Sequence, residues 1–140
     1  MVHVTEMAFE APPGWVDGSV SMFEHKDMVD TGVLVVAKRG YLEGTLEDFI
    51  KRDQASMRRS LPKLTTVDPV EVAVAGYDMV QIEVTHAHKH GPYIQICVYA
   101  QVRADRYLKL TFAGLEAHRT IVLGALKSFV TTAAQNRDPR

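Results

Sequence analysis

At 140 residues, with 46% apolar and 24% charged side chains, the chain has the size of one domain. A domain of that length can bury roughly 68% of the surface its unfolded form exposes, so neither a disulfide nor a metal staple is required. Sixteen basic and seventeen acidic residues leave a formal charge of −1, which removes the electrostatic case for nucleic acid or an anionic membrane as partner.

Val2 to Phe9 alternates apolar and polar residues, which predicts a strand over 2–9. Pro12-Pro13-Gly14 then removes two backbone donors and permits a sharp turn, and Trp15, the only tryptophan, is placed to close one end of the core. Further strands are expected at about 18–26 and 32–38. A helix follows from Leu46 to about Leu61, with Thr45 as N-cap, Asp48 as capping-box acid, and an apolar stripe of Leu46, Phe49, Ile50, Met57 and Leu61. Glu47 and Asp48 open this helix and Arg58, Arg59 and Lys63 close it, so the basic cluster reads as a complement to the helix dipole rather than an anion site.

Strands are predicted again at about 68–75, 77–88, 92–103 and 106–112. Their connections are too short for parallel crossovers, so Val72 to Phe112 reads as an antiparallel meander. A second helix is expected from Leu115 to about Ala134, with a stripe of Leu115, His118, Val122, Ala125, Leu126 and Phe129. The expected organisation is a single α+β domain over 1–135, an antiparallel sheet with both helices on one face, and a frayed tail at 136–140. The glycines fall where turns are predicted, Gly40 and Gly114 among them.

Alternation along the strands groups the side chains. Val80, Ile82 and Val84, then Ile94, Ile96, Val98, Ala100 and Val102, then Leu108, Leu110 and Phe112 are expected to face the helices. Met79, Gln81, Glu83, Gln95, Cys97, Tyr99, Gln101, Lys109 and Thr111 would share the opposite face with Val20 and Met22. Apolar side chains on such a face imply a cover supplied from outside. The candidate partner-binding set is therefore Val20, Met22, Met79, Gln81, Gln95, Tyr99 and Gln101, a mixture of adaptable methionine and two-way hydrogen-bonding amides suited to an apolar helix. The alternatives are that this face is buried in a homodimer or is merely amphipathic.

The run from Phe9 to Phe23, with Pro12, Trp15, Asp17, Ser19, Val20, Met22 and Phe23 at fixed spacing, resembles the opening of the DcrB-like family, whose fold is that of PsbP and Mog1. The resemblance continues through Lys38-Arg39, Leu46-Glu47-Asp48-Phe49, Leu61-Pro62 and Ala75-Gly76-Tyr77 to the closing helix. That family includes the Eag chaperones of bacterial type VI secretion, which act as dimers and hold the transmembrane helices of secreted effectors in a groove on the sheet. The resemblance implies a non-enzymatic chaperone or adaptor, with Val20 and Met22 matching the apolar positions after Trp15-Val16-Asp17 and Gln101 matching more loosely. Some relatives carry a lipoprotein signal; here no N-terminal apolar run preceded by basic residues is found and no stretch approaches the roughly 18 residues of a spanning helix, so a cytoplasmic location without membrane insertion is expected.

The rival chemistry is a metal site on His86, His88 and His90, which share one side of an extended strand. Lys89 between two of them, Gly91-Pro92 just after, and the lack of a neighbouring acidic or thiol ligand favour a solvated hairpin tip, so no metal or other cofactor is expected. Cys97, mid-strand and without a histidine close in sequence, reads as a packing residue rather than a nucleophile.

Overall fold

The computed structural model describes residues 20–24, 33–74 and 77–135. The predicted first strand, the Pro-Pro-Gly turn, Trp15 with its flanking motif, the Ala75-Gly76 hairpin entry and the C-terminal tail lie outside those residues. Within them the chain forms β1 (Val20–Glu24), β2 (Leu34–Tyr41), α1 (Leu46–Ser60), β3 (Thr65–Thr66), β4 (Val70–Val74), β5 (Tyr77–His86), β6 (Tyr93–Arg103), β7 (Arg106–Leu115) and α2 (Arg119–Gln135). The strands make one antiparallel sheet in the order β1-β2-β7-β6-β5-β3, with β4 also pairing β5. The expected α+β class and the β4 to β7 meander are both present.

Local sequence explains the element ends. Thr45 adopts extended backbone and its hydroxyl accepts from the Asp48 amide at 3.1 Å, which starts α1. Leu61 returns to extended backbone ahead of Pro62, which ends it. β3 and β4 are one outer margin interrupted at Val67-Asp68-Pro69; the Val67 amide still reaches the Glu83 carbonyl at 2.9 Å, and pairing resumes at Val70. Pro69 lacks the amide that an unbroken strand would use.

The second helix begins later than its sequence stripe suggests. Leu115 belongs to β7, paired with Tyr93, and Glu116–His118 make a 3₁₀ turn before α2. Gly114 is likewise inside β7, not in a turn: a Cβ there would meet Val122 Cγ2 at 2.9 Å, so its absence lets α2 settle close to the sheet.

The two helices cover opposite faces, which corrects the expectation of one shared face. Ile94, Ile96, Val98, Ala100, Leu110 and Phe112 pack under Val122, with Ala125, Leu126 and Phe129 beside them. Ile82, Val84, Cys97 and Tyr99 form a separate cluster on the other side, beneath Leu46, Phe49, Ile50 and Met57 of α1. Each fully buried aliphatic side chain contributes about 1.5–3 kcal/mol, so both layers are substantial. The set Val80, Ile82 and Val84 therefore lies on the α1 side, whereas the sets on β6 and β7 lie on the α2 side as expected. The cause is register: six residues, 87–92, link β5 to β6 and pair His86 with Tyr93, so even-numbered residues of β5 share a face with odd-numbered residues of β6.

Candidate functional site: a slot beside α1

On the α1 side, cross-strand rows can be followed from β1 inward. Met22 stands beside Val36, then Thr111, then Cys97; Val20 stands beside Lys38, then Lys109, then Tyr99. The helix covers only the inner part of these rows. Phe49 stacks on Tyr107 with centroids 4.2 Å apart, and Asp53 reaches Lys109, while no described helix covers Val20 or Met22. Those two side chains are 54% and 60% exposed, with Val36, Leu34 and Thr111 half-buried next to them.

This leaves a slot with β1 along one side and α1 along the other. Two strand spacings, about 10 Å, separate β1 from β7, close to the diameter of an α-helix. Its inner wall is polar and fixed. Tyr99, fully buried, donates to Asp53 Oδ2 at 2.5 Å and accepts from Gln54 Nε2 at 2.8 Å; Lys109 Nζ lies 2.6 Å from the same carboxylate oxygen. Burial first, then the nearby Cys97 and Asp53, pushes the Tyr99 phenol well above its ordinary range. Burial likewise raises the Cys97 thiol, which suits a packing residue and not a nucleophile.

The seven residues predicted to form one surface divide. Val20 and Met22 lie on the slot. Tyr99 shares their face but sits beneath α1, so it is not a contact residue; its hydroxyl is committed to Asp53 and Gln54. Gln95, half-buried, approaches the His86 ring at 3.1 Å, and Gln101 is exposed and donates to the Ala104 carbonyl at 3.2 Å. They sit at opposite ends of the face, Gln101 beside Tyr107 and Gln95 beside Ala113. Met79 and Gln81 are on the α2 side, Met79 being only 6% exposed within that core. Met79, Gln81 and Tyr99 thus leave the candidate surface, because the β5–β6 register and the α1 cover were not readable from alternation alone.

The α2 side carries a pocket that sequence reasoning missed. Its volume is about 470 Å³ and its lining includes Phe23, Val35, Phe112, Ile121, Val122 and Ala125. Phe23 is 40% exposed, so β1 presents apolar side chains on both faces. The available signal was Met22 and Phe23 side by side in one short strand, which places a large apolar side chain on each face.

At the β5–β6 hairpin the three histidines do not converge. The His86 ring meets the Ala87 carbonyl through Nδ1 at 3.0 Å; a carbonyl only accepts, so Nδ1 carries the proton and Nε2 accepts from Gln95. His88 accepts from the His90 amide and stacks on Tyr93. Among the described residues no group of three or more His, Cys, Asp or Glu side chains is placed to hold a metal ion. The hairpin is an exposed tip above a buried His86–Tyr93 base.

An antiparallel sheet clad by one helix on each face, with an apolar slot beside the first, defines an α+β domain of the PsbP-like type. The chain belongs to the DcrB family, whose profile matches residues 6–120. Among solved structures it is similar to PA94 of Pseudomonas aeruginosa, a protein of unknown function with a suggested regulatory role: 19% identity, TM-score 0.72, covering 94% of this chain and 90% of that one. It is also similar to LpqN of Mycobacterium tuberculosis, involved in cell envelope biogenesis, at 13% identity and TM-score 0.56, covering 80% and 81% of the two chains. The PsbP protein of the cyanobacterium Synechocystis is 10% identical with TM-score 0.51, covering 89% of this chain and 96% of that one. At these identities the likeness is one of fold. No curated protein matches the sequence. Among the described residues no helix is long and apolar enough to cross a membrane.

Proposed function

We propose that this protein is a non-enzymatic binding module that shelters an apolar helix of a partner protein in the slot between β1 and α1. The observation that carries the reading is the outward exposure of Val20 and Met22, at 54% and 60%, beside half-buried Val36 on a strip about as wide as a helix. An apolar helix in water gains about 25 cal/mol for each Å² it buries, so a strip of this kind captures one without any chemistry.

Membership of the DcrB family and the position of Val20 and Met22 after Trp15-Val16-Asp17 support a finer reading, a cytoplasmic chaperone or adaptor for a type VI secretion effector. Such an effector carries membrane-spanning helices that aggregate before export unless a host covers them. A homodimer would present two slots to a helix pair. The glutamine contribution expected from the resemblance narrows to Gln101, which is exposed.

The test is co-expression with effector N-terminal segments followed by pull-down, comparing the native chain with Val20→Asp and Met22→Asp. Recovery is expected to fall at least tenfold for each variant, since Met22→Asp buries an unpaired carboxylate in the contact and Val20→Asp replaces an apolar contact with a charge beside Lys38. Undiminished recovery by both variants, with unchanged circular dichroism, rejects the slot.

A further inference from the structure

Beside the apolar strip of Met22 and Val36, the slot carries one exposed charge in addition to its polar inner wall. Lys38 on β2 stands directly opposite Lys109 on β7, on the same face, a placement in which like charges repel. Asp53 neutralises only Lys109, at 2.6 Å. Lys38 is exposed, has Val20 as its other cross-strand neighbour, and makes no ion pair among the described residues. The one carboxylate that α1 brings to this pair of facing ammonium groups is taken by Lys109, and among the described residues the charge of Lys38 is left over beside an apolar strip.

We propose that Lys38 selects and orients the occupant of the slot, which is an apolar helix bearing a carboxylate side chain at one end of its apolar stretch. Charge complementarity and spacing carry the inference, which rests on the slot reading above. Lys38 lies two residues along β2 from Val36, about 7 Å. On a helix that distance is four to five residues at about 1.5 Å each, so an Asp or Glu one turn beyond the residue packed on Met22 and Val36 comes over Lys38. A basic residue at that place would add a third cation to the row, and the helix would bind poorly or in the opposite direction.

Three dye-labelled synthetic Leu/Ala helices of about 20 residues, differing only in Glu, Gln or Lys at one end of the apolar stretch, test this by fluorescence anisotropy against the native chain, Lys38→Gln and Lys38→Glu. The native chain is expected to bind the Glu peptide about fivefold more tightly than the Gln peptide and to bind the Lys peptide least. Lys38→Gln should bind all three alike, and Lys38→Glu should prefer the Lys peptide. Equal binding of all three peptides by the native chain overturns the orienting role and leaves the slot standing. Failure of the native chain to bind any of them overturns the slot as well.

Discussion

The Tyr107 ring lies across Gly40: a Cβ at that position would approach the ring carbons and hydroxyl to 2.6–2.7 Å. The pair sits side by side on β7 and β2, and the other face of the ring is stacked on Phe49 of α1. Tyr107 is held between a helix above and bare backbone below, with no room to move. Gly40→Ala should therefore lift the ring, disturb the Phe49 stack and destabilise the protein by about 1–3 kcal/mol. Urea unfolding checks the size, and Gly40→Ala combined with Tyr107→Leu should cost less than the two changes added separately.

Alkali should weaken the fold through groups that stay protonated in it. The phenol of Tyr99 and the thiol of Cys97 are both raised in the native state by burial from ordinary values of 10.0 and 9.0, and Tyr93 is shifted the same way. The unfolded chain loses these protons at the ordinary values while the native chain keeps them, so the native state binds more protons and stability falls as pH rises. Stability from these groups is complete below about pH 9 and declines above it. Urea midpoints between pH 7.5 and 10.5 should show the decline, with a shallower slope for Tyr99→Phe above about pH 10.

Arg119 ties the start of α2 to the sheet. It reaches both Glu83 oxygens, at 2.9 and 3.0 Å, and both Glu116 oxygens, at 2.7 and 3.1 Å. Its hydrogen bonds hold the Glu116 carboxyl below its ordinary range. Arg119→Ala should cost about 1 kcal/mol, a modest figure because the pairs are part-exposed, and Arg119→Lys should recover only part of it since an ammonium cannot form both forks. Thermal unfolding of the two variants gives the comparison.

The slot residues should be separable from the core residues. Met22→Asp and Val20→Asp change exposed side chains and should alter stability by no more than about 0.5 kcal/mol, whereas Val98→Asp places an unpaired charge under α2 and should abolish folding. Circular dichroism melts of the three variants distinguish these outcomes and validate the binding experiment on the first two.

Local chemistry made much of the fold legible. The Thr45 cap, the α1 stripe and the short links between β5, β6 and β7 each act over a few residues, and each element appears near its expected place. The relation between neighbouring strands was not legible in the same way. The main apolar set of β5, Ile82 and Val84, lies on one side of the sheet and that of β6, Ile96 and Val98, on the other, so alternation groups residues within each strand but does not phase one strand against the next. The phase is set by the even-length 87–92 link and by a bulge between Gln101 and Arg103, which brings even-numbered residues of β6 and β7 onto one face. Met79 was misplaced for that reason, whereas Tyr99 lies on the expected face and is hidden by α1. Val20 and Met22 were correctly grouped on an exposed face because two apolar side chains on one strand, two residues apart, share a face whatever the neighbouring register.

The gap at Pro69 bears on how copies of this molecule meet. A proline there presents no amide outward, and the strand on either side is only two and five residues long. An incoming ribbon cannot zip continuously along that border, so fibrous growth by sheet extension is blocked at the β3–β4 rim, and lateral stacking of molecules must use some other part of the surface.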